Sequence, residues 1–137
     1  MNLINIASNK LKAHILQASS TDNEALHPPQ NTLDENKDSI WLSGEGLPQY
    51  LLISLEEVEE KYQNIVSVSI TCKHDYETNP KTVEVWVALS EDDAAEDQFI
   101  HWAELSMAKK RGTQMFSIDN IPESYKIIKL MVTETYG

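Results

Sequence analysis

Cysteine is almost missing from this chain of 137 residues, which carries Cys72 and no other. A single thiol cannot build an internal disulfide framework or a cysteine-rich zinc site, so a reducing compartment is expected. Glycine is scarce too: there are four, and the chain shows no phosphate-binding glycine loop, dinucleotide fingerprint or GxSxG nucleophile motif. The four histidines lack the HxxxH or HxH spacing of zinc sites. Because no reactive constellation emerges, we expect a protein that is not an enzyme.

Positive charge is in short supply: 11 Lys and Arg residues stand against 22 Asp and Glu residues, which gives a formal net charge of −11. Such an acidic surface repels phosphate groups, so we expect no nucleic-acid partner and no membrane partner. The apolar runs Tyr50–Ile53 and Ile127–Val132 are far shorter than the ~18 residues of a membrane span. The first ten residues, MNLINIASNK, do not resemble a secretory signal. A single cytoplasmic domain over residues 1–137 is therefore expected.

Two acidic runs leave two interpretations open. The first run joins Glu91–Asp93 to Glu96–Asp97, and the second covers residues 56–60. The runs are either solvated loops that keep the protein soluble or a docking patch that attracts a basic partner. Within Leu55–Tyr62 the glutamates suit one helical turn at most. The basic triplet Lys109–Arg111 precedes a glycine and predicts the tip of a hairpin.

Apolar residues at every second position indicate strands. The runs Val83–Leu89 and Val66–Cys72 both show this period of two, which is typical of a strand with one buried face. Further strands are expected at Leu11–Ala18, Gln49–Leu55, Phe99–Leu105, Thr113–Ile118 and Tyr125–Glu134, with a very short one at Ile40–Leu42. Proline and glycine breakers separate the runs. The spacing predicts an all-β fold, an antiparallel β-sandwich of the jelly-roll type.

Residues 19–55 form the most informative segment. A His-Pro-Pro entry at His27–Pro29 leads into a polar turn, and Trp41 follows that turn. A bulky indole in this position is expected to plug one open end of a small sandwich. The oxygen-bearing residues of the turn are Asp34, Asn36, Asp38 and Ser39. They form either an ordinary turn or part of the about six to eight oxygen ligands that Ca²⁺ requires.

This segment resembles the discoidin, or galactose-binding-domain-like, superfamily of jelly rolls, and more narrowly the intraflagellar transport 25 family. The shared order is Ser-Ser-x-Asp, His-Pro-Pro-x-Asn, Asp-x-Asn, Ser-x-Trp and Gly-x-x-Pro-Gln. The matching residues are Ser19, Ser20, Asp22, His27, Pro28, Pro29, Asn31, Asp34, Asn36, Ser39, Trp41, Gly46, Pro48 and Gln49. Discoidin-like domains of the anaphase-promoting complex and of centrosomal protein 104 share a looser version of this pattern.

The resemblance implies a non-enzymatic adaptor in the cilium or the centrosome, a subunit of intraflagellar transport complex B that pairs with a small Rab-like GTPase. It also implies a structural Ca²⁺ ion held by Asp34, Asn36 and Ser39. The family continues past the position of Gly137 into a closing strand, so we expect this chain to lack its last strand. An alternative is the N-terminal scaffold domain of a centrosomal or ubiquitin-ligase-associated protein.

Two tryptophans indicate where a protein partner would bind. Alternation turns each of them away from the apolar face of its own strand. If the two strands are neighbours, one face of a sheet presents Trp86, Trp102 and Ile100. Such a patch is either an anchor for a partner or a structural feature covered by loops.

Two further function classes stay open. A calcium-dependent carbohydrate-binding module would use exposed aromatic platforms together with polar loop residues. A hydrolase would use paired carboxylates, but carboxylates are plentiful in an acidic chain and are therefore not specific evidence. A protein-interaction adaptor on a jelly roll is the leading hypothesis.

Overall fold

Seven β-strands form in the part of the chain that the structure, a computed structural model, describes. That part comprises residues 5–21, 28–34, 43–44, 46–59, 61, 64–74 and 76–137. In chain order the strands are β1 (His14–Ala18), β2 (Gln49–Ser54), β3 (Ile65–Cys72), β4 (Pro80–Ala88), β5 (Ile100–Ser106), β6 (Gly112–Ile121) and β7 (Ile127–Thr135). A short helix, α1 (Glu91–Ala95), lies between β4 and β5, and two 3₁₀ turns cover Asn9–Leu11 and Pro29–Thr32.

The strands pack as two antiparallel sheets. Within the described residues, one sheet has the strand order β1-β2-β7-β4-β5, and the other pairs β3 with β6. Both sheets contribute to one apolar core, which contains Val85 and Val87 from β4 and Ile121 from β6. All three side chains are fully buried, and each such burial is worth about 2 kcal/mol. The predicted antiparallel β-sandwich is confirmed.

Most strand boundaries lie within a few residues of the predicted ones, and β1 shows why they shift. The prediction started this strand at Leu11, but Asn9–Leu11 forms a 3₁₀ turn. The Ser8 hydroxyl caps the turn by accepting a backbone N–H at 3.2 Å. Lys12 then adopts a left-handed conformation with φ of 71°, so the extended backbone begins only at His14.

The first acidic run is not only a loop: Glu91–Asp93 forms the first turn of α1, and Glu96–Asp97 lies in the turn that follows it. Ser90 accepts the backbone N–H of Asp93 at 3.1 Å and so caps the first turn of α1. The three acidic residues of that turn lie at the positive end of the helix. Ala94 packs on Ala88 and Ile127, which fixes α1 against the outer side of the larger sheet.

Three other expectations concern connecting segments. Lys109–Arg111 is not a hairpin tip, because β5 and β6 belong to different sheets and the segment crosses between them. After β2 the chain makes a turn at Glu56 and Glu57 and then buries Val58. The predicted short strand Ile40–Leu42 lies outside the described residues, and so does Trp41, which was expected to plug one end of the sandwich.

Candidate functional site

The outer side of the five-stranded sheet carries aromatic and long side chains, whereas a solvated sheet face is usually polar. Because the valines of β4 point into the core, Trp86 points outward. Its neighbours in register are Lys129 on β7 and His101 on β5. One row further along, Tyr50 of β2 lies opposite Met131 of β7. We call these five residues the outer aromatic face.

A cation lies between two rings on this face. The Lys129 ammonium is 4.9 Å from the centroid of the Tyr50 ring and 5.1 Å from that of the Phe99 ring. Both distances are within the range of cation–π attraction. The Gln17 side-chain amide donates to the Tyr50 hydroxyl at 2.9 Å. The Tyr50 ring is therefore fixed at both its face and its hydroxyl.

Trp86 is held by contacts within its own sheet. Its indole meets the His101 ring edge-on, with the ring centroids 4.8 Å apart. The Trp86 Nε1–H donates to the Glu84 carboxylate at 2.9 Å, so the polar atom of the indole already has a partner. His101 stays exposed and Trp86 half-buried. The face therefore offers an ordered aromatic surface with little further ordering cost on binding.

A bulge in β5 overturns the predicted tryptophan patch. The neighbours Val85 and Trp86 pair with residues two positions apart on β5, so Trp102 is an extra residue in that strand. The alternation of β5 changes phase at this point. The expectation that Trp86, Trp102 and Ile100 share one face is therefore wrong, while a role of each in partner binding stays a prediction.

Trp102 lies on the core side of β5. Its ring packs against the core, and its centroid is 5.6 Å from that of Tyr125. Its Nε1–H donates to the backbone carbonyl of Asp119 at 2.8 Å. Trp102 therefore ties β5 to β6 across the edge of the sandwich.

Ile100 lies opposite Val87 near one end of the sheet, and half of its surface is exposed. It borders a cavity of about 260 Å³, which we call the end pocket. The pocket is lined by Val87, Ala88, Leu89, Asp93, Gln98, Phe99, Ile100 and Tyr125. Leu89 is exposed to the same extent as Ile100. A second cavity, of about 280 Å³, lies between α1 and the β1–β2 pair.

Two glutamates share a hydrogen bond beside α1. The Glu56 carboxyl bonds to the Glu91 carboxylate, and this bond raises the pKa of Glu56 and lowers the pKa of Glu91. The fully buried Ser54 hydroxyl also donates to Glu91, at 3.1 Å. Glu56 is therefore the member of the pair that binds a proton more readily, and the pair ties the turn after β2 to the helix.

Of the three residues predicted to hold Ca²⁺, the structure describes Asp34 alone. Asp34 follows the 3₁₀ turn Pro29–Thr32 and is half-buried. Asn36 and Ser39 lie outside the described residues. Among the side chains that are described, no group of three or more His, Cys, Asp or Glu is placed to hold a metal ion. A Ca²⁺ site at this turn stays a prediction.

The sequence analysis missed Tyr50, Lys129 and Met131. They share a sheet face with Trp86 because β7 lies between β2 and β4, and strand order is a long-range property. A local signal was present, since Lys129 and Met131 alternate with Ile128, Leu130 and Val132 in β7. That pattern marks them as outward-facing but does not say what they contact.

Structural comparison places the chain among small jelly-roll domains. The family 32 carbohydrate-binding module of Clostridium perfringens NanJ, solved with galactose, is similar with a TM-score of 0.69, 17% identity, and coverage of 92% of this chain and 85% of that one. The family 32 module of Streptococcus pneumoniae EndoD has a TM-score of 0.67 and 16% identity, with coverage of 98% of this chain and 89% of that one. A chain from the structure of reduced XRCC1 bound to the DNA polymerase β catalytic domain has a TM-score of 0.63 and 19% identity, with coverage of 90% of this chain and 85% of that one.

These similarities define a discoidin-like, galactose-binding-domain-like jelly roll, as the sequence predicted. Within that class, residues 24–137 match the Sad1/UNC-like C-terminal family. The match covers most of the chain, so the chain belongs to the Sad1/UNC-like C-terminal family. No curated protein sequence matches it.

The comparisons support the predicted jelly-roll class but not the narrower family that the sequence suggested. They contain no support for the intraflagellar transport 25 family. None of the helices in the described residues is long and apolar enough to cross a membrane.

Proposed function

We propose that this domain is a non-enzymatic protein-interaction module that binds its partner through the outer aromatic face. One observation carries the proposal: the Trp86 indole is ordered by Glu84 and His101 and still remains partly open to solvent. Tryptophan and tyrosine are the residues that most often anchor protein interfaces.

The geometry favours a protein over a small ligand. A sheet face is broad and shallow, whereas small molecules bind in concave sites that enclose most of their surface. Aromatic and methionine side chains, which this face combines, are enriched in protein interfaces. The XRCC1 complex supports the proposal, because it is a protein–protein assembly that contains a chain of similar fold.

The first prediction concerns Trp86→Ala. We expect the variant to lose at least tenfold in affinity for the partner, because it removes the central anchor of the face. We expect its free energy of unfolding to change by less than about 1 kcal/mol, since the indole lies outside the core and the Glu84 carboxylate can bond to water instead. Pull-down with quantitative mass spectrometry, followed by calorimetry with the recovered partner, measures the first effect, and urea denaturation measures the second.

Met115→Ala is the matched control for this experiment. Met115 is an exposed apolar residue on β6, in the other sheet, so its removal should leave the same partner bound. Equal partner recovery with Trp86→Ala and with the unaltered protein would refute the proposal. So would a loss of stability as large as the loss of binding, because that would make Trp86 a core residue.

A narrower form of the proposal names the partner as a small Rab-like GTPase in a ciliary transport complex, or places the domain in a centrosomal or ubiquitin-ligase-associated scaffold. This form rests on the sequence resemblance alone. Localisation of a tagged protein tests this form, and absence from cilia and centrosomes would refute it.

The same resemblance implies a structural Ca²⁺ ion. Calorimetric titration of Ca²⁺ should give a binding signal that Asp34→Ala abolishes.

Carbohydrate binding is a second candidate, and one surface feature favours it. The His74 and Tyr76 rings stack with centroids 4.5 Å apart, and Tyr76 is 57% exposed. Such a flat aromatic platform with polar neighbours suits the apolar side of a sugar ring. Two of the similar structures are carbohydrate-binding modules solved with galactose-containing sugars. Calorimetry with galactose tests this candidate, and binding should vanish in Tyr76→Ala.

A further inference from the structure

The end pocket has the size of one amino-acid side chain. Val87 and Ala88, which expose 0% and 2% of their surfaces, lie beneath it, so the surface open to a ligand belongs to the other lining residues. Its volume of about 260 Å³ is below the roughly 300 Å³ at which small-molecule sites begin. It is large enough for a leucine or phenylalanine side chain. The pocket therefore suits an anchor residue and not a whole ligand.

The rim of the pocket is apolar and open. Leu89 and Ile100 each expose half of their surface, although both are large aliphatic residues. Phe99 and Tyr125 add aromatic walls beside them. Covering such a rim with an apolar side chain removes it from water, which is favourable in proportion to the area covered.

The wall that α1 provides is already fixed in the free protein. Ser90 caps the beginning of the helix, and its end is closed by two backbone bonds, from Asp97 N–H to Ala94 C=O at 3.0 Å and from Gln98 N–H to Asp93 C=O at 2.9 Å. Ala94 anchors the helix on the sheet. A preformed pocket binds without the cost of ordering its walls.

The charge around the pocket is negative. Five carboxylates lie on or just after α1. Glu91 is bonded to Ser54 and Glu56, which leaves the four of Asp92, Asp93, Glu96 and Asp97, and Asp93 lines the pocket itself. In the described part of the chain, none of the four forms an ion pair. The nearby Lys129 ammonium is directed instead at the Phe99 and Tyr50 rings. A ligand that brings its own positive charge is therefore complementary to this end of the domain.

We infer that the end pocket binds a basic peptide segment by taking up one bulky apolar side chain while flanking Lys or Arg residues lie against the carboxylates of α1. The end pocket is a second contact surface, beside the outer aromatic face. Its shape and charge require a bound segment that is both basic and apolar at one position. Apolar burial supplies the anchor and the acidic helix supplies selection against other sequences.

A random peptide library displayed on phage tests the inference with the whole domain as bait. We expect enrichment of sequences with one Leu, Ile, Phe or Trp within three residues of at least two Lys or Arg. A labelled peptide of the enriched sequence should bind at least tenfold more weakly to Leu89→Glu and to Ile100→Glu, measured by fluorescence anisotropy. Both substitutions are at exposed positions, and thermal unfolding verifies that each variant is folded. Met115→Glu, a charge placed on the other sheet, should bind normally.

Two controls, one in the peptide and one in the domain, separate the apolar and the electrostatic components of binding. Replacing the apolar residue of the peptide by Ala should reduce affinity about tenfold or more at any salt concentration. Neutralising Asp92, Asp93, Glu96 and Asp97 to their amides should leave weaker binding that depends less steeply on salt.

Three outcomes would overturn the inference: no enrichment, enrichment of acidic or purely polar peptides, or equal binding by Leu89→Glu and the unaltered protein. Peptides that depend on Trp86 and not on Leu89 would also overturn it, and they would support the function proposed for the outer aromatic face. A loss of binding in Leu89→Glu together with normal binding in Trp86→Ala would support the end pocket as the site of the peptide.

Discussion

Trp86 and Trp102 lie on adjacent strands of one sheet and have opposite environments. Trp86 points out of the sandwich, whereas Trp102 packs against the core and bonds to the backbone of Asp119. Alternation correctly turns Trp86 away from the core valines of β4, but it wrongly turns Trp102 away from Ala103 and Leu105, which pack on the core side with it. It cannot reveal that one extra residue in β5 changes the pairing, because a bulge is a property of two strands together.

This contrast predicts unequal costs of removing the two indoles. Trp102→Ala should lower the free energy of unfolding by about 2 kcal/mol or more, since it removes a half-buried ring and leaves the Asp119 carbonyl without its donor. Trp102→Phe should recover most of the packing and lose about 1 kcal/mol. Urea denaturation of the two variants beside Trp86→Ala gives the comparison. Equal losses for Trp86→Ala and Trp102→Ala would contradict the assignment of the two faces.

The Glu56–Glu91 pair predicts a dependence of stability on pH. The hydrogen bond to Glu91 raises the pKa of Glu56. The contribution of Glu56 to the free energy of unfolding is therefore fully present below its unfolded pKa and is lost as pH rises through its folded pKa. The hydrogen bond to Glu56 lowers the pKa of Glu91, so that contribution is present above the unfolded pKa and is lost as pH falls through the folded pKa. The pair therefore stabilises the fold most in the acidic window between the two folded pKa values.

Glu56→Gln isolates this effect, because an amide donates to Glu91 at every pH. We expect the variant to be more stable than the unaltered protein at pH 7, by less than about 1 kcal/mol because the pair is close to solvent. The gain should disappear toward pH 4. Glu57→Gln removes the same charge at the next position and should show no such pH dependence. Thermal unfolding between pH 4 and pH 8 measures all three proteins.

The sequence analysis predicted all seven strands of the described residues but missed the α-helix α1. Its signals were short: a serine followed three residues later by an aspartate, with acidic residues between them. These are the marks of a capped helix start, but a helix of five residues has no period of 3.6 to detect. The strands were predictable because their period of two repeats over five to ten residues. Element type followed from pattern, whereas strand partners did not.

Capping makes α1 sensitive to one atom. Ser90→Ala removes the acceptor for the Asp93 N–H and should cost about 1 kcal/mol of stability. Ser90→Asp keeps an acceptor and should restore most of that loss. The loss should also be local, with faster hydrogen exchange in α1 than in β4. Unchanged exchange in α1 of the alanine variant would show that packing through Ala94, and not the cap, holds the helix.

At the scale of the whole molecule, the net charge of −11 acts on every part of the surface. Mutual repulsion of carboxylates weakens the folded state, and added salt screens it over about 10 Å at 0.1 M. Raising NaCl from about 0.02 M to 0.3 M should therefore increase stability by roughly 1 kcal/mol. The variant with amides at Asp92, Asp93, Glu96 and Asp97 should gain less, because four of the repelling charges are gone. An equal gain in both proteins would assign the salt effect to another cause.

The position of β7 has a consequence for how the protein is made. β7 lies in the middle of the five-stranded sheet, yet it is translated after all its sheet neighbours. On the ribosome, β1–β2 and β4–β5 can form as two separate hairpins, and each leaves one strand edge unpaired until residues 127–135 emerge. Unpaired edges are where nascent chains join the wrong neighbour. A ribosome that stalls before residue 127 would therefore hold two strand pairs with unpaired edges that can aggregate. Synthesis of β7 is the step that removes both edges.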